Sequence, residues 1–314
     1  MHKSISIRLL IGVTLFIAGF GGNAAKAQSS SDLPQGLSSA STTVVTDSLT
    51  YTLQSTRRLD ADGVDSGLSA YDLIRAFGGR NPIESPDLYP LNHPEVEHIV
   101  EGFDDVIGNH FIFKSHRDID RDRDRYATTD RQRNEIKTYN SSEEAVKGYE
   151  NETMIFTWKF KIDAGMEVSK KFSHFFQLKA VGGPDGQPIV SFTGNERSGE
   201  DGIEVRHIDE RAGSVLARAD WSEVTGEWVE AYVRATFADE GDLRIILTRL
   251  TDGEVILDID ETNLDMWRGT DSEHIVRPKW GIYRSLDDSD NLRPEEEIVR
   301  FANFEVQKVL VDQQ

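Results

Sequence analysis

An all-β fold, a sandwich of two antiparallel sheets, is predicted by three features of this 314-residue sequence. Short runs rich in β-branched and aromatic residues recur at regular spacing along most of the chain. Several alternate apolar and polar side chains with period two, as a strand does when one face meets a core and the other water. Helix signals occur in a single segment near the start. The chain is long enough to bury a substantial core. Beyond its N-terminal region it shows no shift of composition and no internal repeat, so one domain is expected from residue 43 to 314.

Residues 1–27 read as a secretory signal. His2, Lys3 and Arg8 are basic, Leu9 to Phe20 is mostly apolar, and Ala25-Lys26-Ala27 matches a cleavage site. The apolar stretch is short for a membrane span. A mature start near Gln28, in the periplasm or the medium, is expected. The chain has no cysteine, which rules out disulfides, thiol chemistry and a lipid anchor at the cleavage site. Residues 28–42, rich in Ser, Gly and Gln, form a flexible linker.

Thr43 to Leu53 alternates as a first strand. Leu68 to Gly79 is a short helix, with Ser69 able to cap it, Asp72 placed to complete the cap, and Gly78 to end it. Asn81 to Pro94 holds four prolines and reads as loop. Glu97 to Phe103 and His110 to His116 read as strands. Arg117 to Arg131 alternates Asp and Arg with few apolar residues and reads as a solvated loop. Strand signal then dominates: Arg131 to Lys137, Thr153 to Asp163, Phe172 to Val181, Ile189 to Thr193, Gly202 to Ile208, Ser214 to Ala219 and Trp228 to Phe237. Leu243 to Leu250 and Glu254 to Asp260 form a hairpin across Asp252-Gly253. Lys279 to Ser285 and Val299 to Val311 close the domain.

The formal net charge of −20 argues against nucleic acid and anionic membranes as partners. Cations nevertheless gather at residues 117–137, 159–179 and 277–284, which suits a basic cleft for an anionic ligand. No G-x-S-x-G elbow supports a serine hydrolase. His93 and His98, or His110 and His116, fit no zinc spacing. The Asp118, Asp120, Asp122, Asp124 alternation lacks a calcium loop's glycine and is interrupted by arginines. No metal or cofactor is required, and structural calcium is possible but not indicated. No carboxylate pair stands out by placement as the acid and base of a glycoside hydrolase.

Three strands combine apolar content with polar groups on one face. Phe175, Gln177 and Lys179 share a face in the first, Arg131, Arg133, Glu135 and Lys137 in the second, and Lys279, Gly281 and Tyr283 in the third. Glu135 reads as a salt-bridged structural carboxylate. His174 falls on the face opposite Lys179 and reads as packing. A snorkelling Lys179 and a core Tyr283 with a surface hydroxyl are the bland alternatives.

The wording of these strands resembles the jelly-roll polysaccharide lyases. Arg133-x-Glu135-x-Lys137, Gln177-x-Lys179 and Lys279-x-Gly281-x-Tyr283 are similar to the motifs of alginate lyases, except that Lys179 stands where those carry histidine. Asp130 to Lys137, Gln177 to Gly183 and Pro278 to Arg284 look more like the ulvan lyases of this fold. The resemblance spans roughly residues 93–311. It implies a concanavalin-like jelly roll and β-elimination from a uronate polymer, with ulvan as substrate and glucuronan or alginate as runners-up. It also implies Lys179, Tyr283, Arg133 and Gln177 as catalytic residues, with Lys137, Asn134, Lys279 and Arg284 binding substrate.

Such chemistry needs the uronate carboxylate neutralised, a task for Arg133 and Gln177, so that the C5 proton becomes acidic. It also needs a base at C5 and an acid at the leaving oxygen, roles for Lys179 and Tyr283, or for Tyr283 alone in a syn elimination. A monomer acting on an anionic polysaccharide is expected. A lectin of the same fold is the alternative, needing the cationic cleft but not the lysine and tyrosine together.

Overall fold

The computed structural model describes residues 49–124, 128–209 and 212–312. The expected signal, the linker and residues 43–48 lie outside the described residues. The strands in chain order are β1 (Tyr51–Leu59), β2 (Ile83–Glu84), β3 (Ile99–Asp104), β4 (Gly108–Ser115), β5 (Arg131–Lys137), β6 (Thr153–Ile162), β7 (Ser173–Val181) and β8 (Val190–Arg197). They continue as β9 (Glu200–Ile208), β10 (Gly213–Asp220), β11 (Val229–Thr236), β12 (Gly241–Arg249), β13 (Val255–Leu264), β14 (Ile275–Ser285) and β15 (Glu297–Val311). One sheet runs β13-β12-β11-β6-β15-β4-β3, with β1 paired along the C-terminal part of β15. The other runs β10-β9-β8-β7-β14-β5-β2. Both are antiparallel, and the expected jelly-roll sandwich is what the chain forms.

Between the sheets lies an aromatic core supplied by alternate positions of the central strands. The rings of Trp158 and Phe176 are 4.4 Å apart, Trp158 and Phe192 5.6 Å, and Phe176 and Trp280 5.9 Å. Such pairs add about 0.5–1.5 kcal/mol each beyond the area they bury. The helix α1 (Ala70–Gly78) starts at Ser69 with a full capping box to Asp72, as its sequence predicts, and packs Phe77 against Trp280.

Two segments depart from expectation. The proline-rich stretch contains β2, whose Ile83 and Glu84 pair with Ile136 and Glu135 at the sheet edge. An edge strand tolerates Pro82 because that residue need only accept, and its carbonyl takes the Lys137 N–H at 2.8 Å. The segment 117–124 is not simply solvated, since Asp120 and Asp122 are buried. Each has fixed polar partners that meet its lone pairs.

Candidate active site

Register on the second sheet gathers the polar strand residues. Lys279 of β14 lies opposite Lys137 of β5 on one side and Gln177 of β7 on the other. Tyr283 lies between Arg133 and His174, and Arg277 opposite Lys179. The intervening Ile136, Trp280, Phe176 and Leu178 enter the core. The alternation read from sequence thus sets Arg133, Gln177, Lys179 and Tyr283 on one outward face.

Asn134 and Arg284 do not join them. Each is one residue away from a face residue in its strand, so period two turns it inward. The Asn134 amide donates to the carbonyls of His98 and Lys114, both at 2.9 Å. Arg284 is fully buried, bound to Glu297 and Gln132. Both expected substrate contacts are corrected to structural roles between the sheets.

His174 moves the other way. β7 carries a bulge at Phe175, so that His174 pairs with Thr193 and Phe176 with Phe192. The extra residue inverts the parity, and His174 joins the face of Gln177 instead of packing opposite it. Its Nδ1 lies 2.8 Å from Thr193 Oγ1 and its ring 5.9 Å from that of Tyr283. Burial first, then the charges of Arg206, Arg133, Lys279 and Lys179, push it down to about 3. It is a neutral imidazole at any working pH.

Beneath this face runs a ladder of buried ion pairs. Glu84 accepts from Lys137 at 2.8 Å and Lys279 at 2.9 Å. Glu135 accepts from Lys279 at 2.5 Å, from Arg133 at 2.6 Å, and from the Gln177 amide. Arg133 Nε reaches Asp122 Oδ1 at 2.8 Å. Glu135 is therefore the structural carboxylate expected. Lys279, however, is buried between Glu84 and Glu135, so the expected substrate contact there is corrected to a structural cation. Arg133 and Gln177 also spend donors on Glu135 and hold the floor in shape. Lys137 remains half-buried at the rim.

The excess charge is positive. Arg123, Arg133, Lys137, Lys179, Arg277 and Lys279 surround Glu84, Asp122 and Glu135, six cations to three carboxylates. The half-buried Tyr283 has its ring under the Arg133 guanidinium at 3.6 Å, while its hydroxyl accepts from Arg131 Nη1 at 3.1 Å. Lys179 donates to the carbonyls of Asp185 at 2.5 Å and Gly186 at 3.1 Å in the β7–β8 loop. Burial first, then Lys279, Arg277 and Arg133, bring its ammonium down to about 8, against the pull of Asp185.

Lys179 and Tyr283 share a face but not a rung. Tyr283 pairs with His174 and Lys179 with Arg277, with irregular pairing between the two positions on both strands. Their tips lean apart, one toward Gly186 and the other toward Arg131. An acid and base serving one C4–C5 bond must each come within about 3 Å of it. Tyr283 lines neither of two clefts on this sheet. One of about 860 Å³, lined by Arg197, Arg206 and Val215, lies on β8–β10. Another of about 630 Å³, lined by Glu84, Arg123 and Lys137, lies toward β2.

Gly281 lets β14 and β5 approach. It adopts φ +141°, and a Cβ there would stand 2.2 Å from the Asn134 carbonyl oxygen. Gly281→Ala is expected to cost roughly 1–3 kcal/mol, the scale of local backbone strain, read as a lower midpoint in urea. An unchanged midpoint would contradict that account of the strand.

The residues that sequence reading missed are His174, Glu84, and a cluster of His93, His98, His116 and Asp120 brought together from two segments. The wide bidentate spacing of the cluster carries no local motif. A bulge likewise has no signature in Ser-His-Phe-Phe.

No protein-family model matches the sequence, and no curated protein matches it. Among solved structures, alginate lyase Aly36B is similar with a TM-score of 0.53 and 12% identity, over 83% of this chain and 100% of that one. A variant of it with a lysine and a tyrosine replaced by alanine, in complex with alginate tetrasaccharide, gives 0.53 and 11%, again over 83% and 100%. The marine PL-14 alginate lyase from Aplysia kurodai gives 0.50 and 10%, over 81% and 98%. At such identities the likeness is one of architecture, and the chain has the fold of these alginate lyases.

Proposed function

We propose that this protein is an exported polysaccharide lyase that cleaves a uronate-containing polyanion by β-elimination, with Tyr283 as the group that moves the proton. The observation that carries the reading is the phenol itself. It stands half-buried on an open cationic face, level with a neutral imidazole, with Arg131 on its oxygen and Arg133 over its ring. In a syn elimination the phenolate oxygen takes the proton from C5, the C4–O4 bond breaks as the C4–C5 double bond forms, and the proton passes to O4. Negative charge on the tyrosine oxygen, before the proton is taken and after it is passed on, meets Arg131 at the oxygen and Arg133 over the ring.

Ulvan is the substrate proposed, supported by the wording of Gln177-x-Lys179 and Lys279-x-Gly281-x-Tyr283. Alginate is the second reading, favoured by the alginate oligosaccharide held in a protein of this fold. Incubation with ulvan, glucuronan and alginate while following ultraviolet absorbance tests both. Elimination alone makes the conjugated, absorbing uronate, so depolymerisation without absorbance would establish a hydrolase, and binding without cleavage a lectin.

Lys179 is assigned to a neighbouring sugar's anionic group. Its ammonium is present below about pH 8 and is lost as pH rises through that value. KM is therefore expected to climb above about pH 8 in the wild type. In Lys179→Arg, which keeps its charge at any ordinary pH, that limb should vanish while turnover survives. A collapse of turnover in Lys179→Arg would instead make Lys179 the base and end the Tyr283-alone scheme.

A further inference from the structure

Away from the groove face, His93 from the loop before β3, His98 next to β3, His116 after β4, and Asp120 each direct one ligand-type atom to a common point. The four atoms lie within 4.8 Å of one another. The three imidazole rings are mutually edge-on, with centroids 5.0, 5.0 and 5.1 Å apart and interplanar angles of 76°, 80° and 89°. Asp120 Oδ1 is 2.8 Å from His93 Nδ1 and 2.9 Å from His98 Nε2. His116 Nδ1 is 3.2 Å from His98 Nε2 and 3.3 Å from Asp120 Oδ2.

The outward nitrogens say what the inward ones offer. His98 Nδ1 is 2.6 Å from the Val96 carbonyl, and His116 Nε2 is 2.9 Å from a Glu296 carboxylate oxygen. Both partners only accept, so these outward nitrogens carry protons, and in the neutral rings the inward nitrogens present lone pairs. His93 Nε2 likewise faces the Glu95 carboxylate at 3.7 Å. Asp120 Oδ2 takes the backbone N–H of His116 at 2.7 Å, which orients the carboxylate. A second layer of carbonyl and carboxylate acceptors behind inward imidazoles is the arrangement that orients metal ligands. Two inward nitrogens 3.2 Å apart beside a carboxylate are reconciled by a proton on one ring or by a metal ion among them.

We propose that His93, His98, His116 and Asp120 form a structural zinc site. Bonds of about 2.0–2.1 Å in a tetrahedron put ligand atoms about 3.3 Å apart, and the contacts here run from 2.8 Å upward with all four ligand atoms within 4.8 Å, so small side-chain shifts would bring them to that spacing. Three imidazoles and one carboxylate suit zinc better than calcium or magnesium, which take oxygen ligands. His98 and Asp120 are wholly buried, His93 nearly so, and the fourth position is filled by protein, as in a site that stabilises a fold and not one that activates water. The metal would join the segment that enters β3 to the segment that leaves β4, just beyond the end of their pairing. Two residues on from Asp120, Asp122 holds Arg133, and Arg133 covers Tyr283. The site therefore anchors the segment that braces the groove.

The test uses the whole mature protein, with zinc and cobalt(II) as probes, and does not depend on any activity. Protein reconstituted with zinc and desalted should carry about one equivalent by elemental analysis, and a chelator should lower its melting temperature. Cobalt(II) should give the intense visible bands of a tetrahedral site. His116→Gln, at the most accessible ligand, should abolish stoichiometric zinc, whereas Glu296→Gln, which keeps all four ligands but loses the carboxylate that orients His116, should bind zinc about 10–100-fold more weakly and still fill at excess metal. Wild-type protein that holds no zinc after reconstitution, melts the same with and without chelator, and leaves cobalt(II) with its pale aqueous spectrum would overturn the site. The cluster would then be a hydrogen-bonded imidazolium–carboxylate network. Because these readings are made on the wild type, a variant that failed to fold would not shield the proposal.

Discussion

Tyr283→Phe is expected to lower turnover by about 10²-fold or more while leaving substrate binding nearly intact. Phenylalanine keeps the ring that Arg133 covers at 3.6 Å and that packs 5.1 Å from Phe172, so the floor of the groove stays in place. Only the hydroxyl is lost, and with it the acceptor that Arg131 meets at 3.1 Å. If that oxygen carries the proton from C5 to O4, its loss acts in the transition state and appears in kcat, with KM little changed. Steady-state ultraviolet absorbance of the conjugated product across substrate concentrations separates the two parameters. Wild-type turnover in this variant, with product still unsaturated, would remove Tyr283 from the chemistry. The neutral His174 beside it would then be the first group to examine.

Much of this site was legible in the sequence because the strands obey period two. Arg131 to Lys137 spans β5 to the residue, and its alternation alone orients Arg133, Glu135 and Lys137 together. The same rule, applied one position further, excludes Asn134 and Arg284 from the groove. Their proposal as substrate contacts followed motif membership over geometry. What could not be read was set by tertiary contacts. The bulge at Phe175 inverts the face of His174 without any glycine or proline to mark it. Glu84 sits amid prolines that argue against a strand, yet two residues of edge pairing suffice to bring it under Lys279. The Asp-Arg run reads as solvated by composition. Its even positions Asp120 and Asp122 are nonetheless taken inward by histidines and Arg133, partners far away in sequence.

Removing the charge of Lys279 is expected to be the most damaging change to the fold beneath the groove. Its ammonium, with a side chain 2% exposed, is shared by Glu84 and Glu135, whose side chains are 6% and 2% exposed. Lys279→Met keeps the length and apolar stem but leaves two carboxylates facing a position with no cation. Breaking a buried pair by deleting one partner typically costs about 3–5 kcal/mol, and here Lys137 and Arg133 remain to offset part of it. The pH dependence identifies the cause. Burial works to raise the Glu84 carboxyl, but Lys279, Arg133 and Lys137 together hold it well below its usual value. A carboxyl depressed in the folded state contributes stability above its unfolded pKa of about 4.3, and that contribution is lost as pH falls through the folded value. Lys279→Met lets the carboxyl rise, so the difference from wild type should be greatest near neutral pH and shrink in acid, where protonation meets the same need. The charge of Lys279 also helps depress the Lys179 ammonium, after burial the largest cause. In any Lys279→Met protein that folds, the KM limb of Lys179 should therefore move up from about pH 8 toward its ordinary range. Urea denaturation of the two proteins across this pH span reads the first effect, and the KM profile reads the second. Equal stability at neutral pH would mean that Glu84 and Glu135 are satisfied without Lys279, and that the ladder does not hold the floor on which Tyr283 stands.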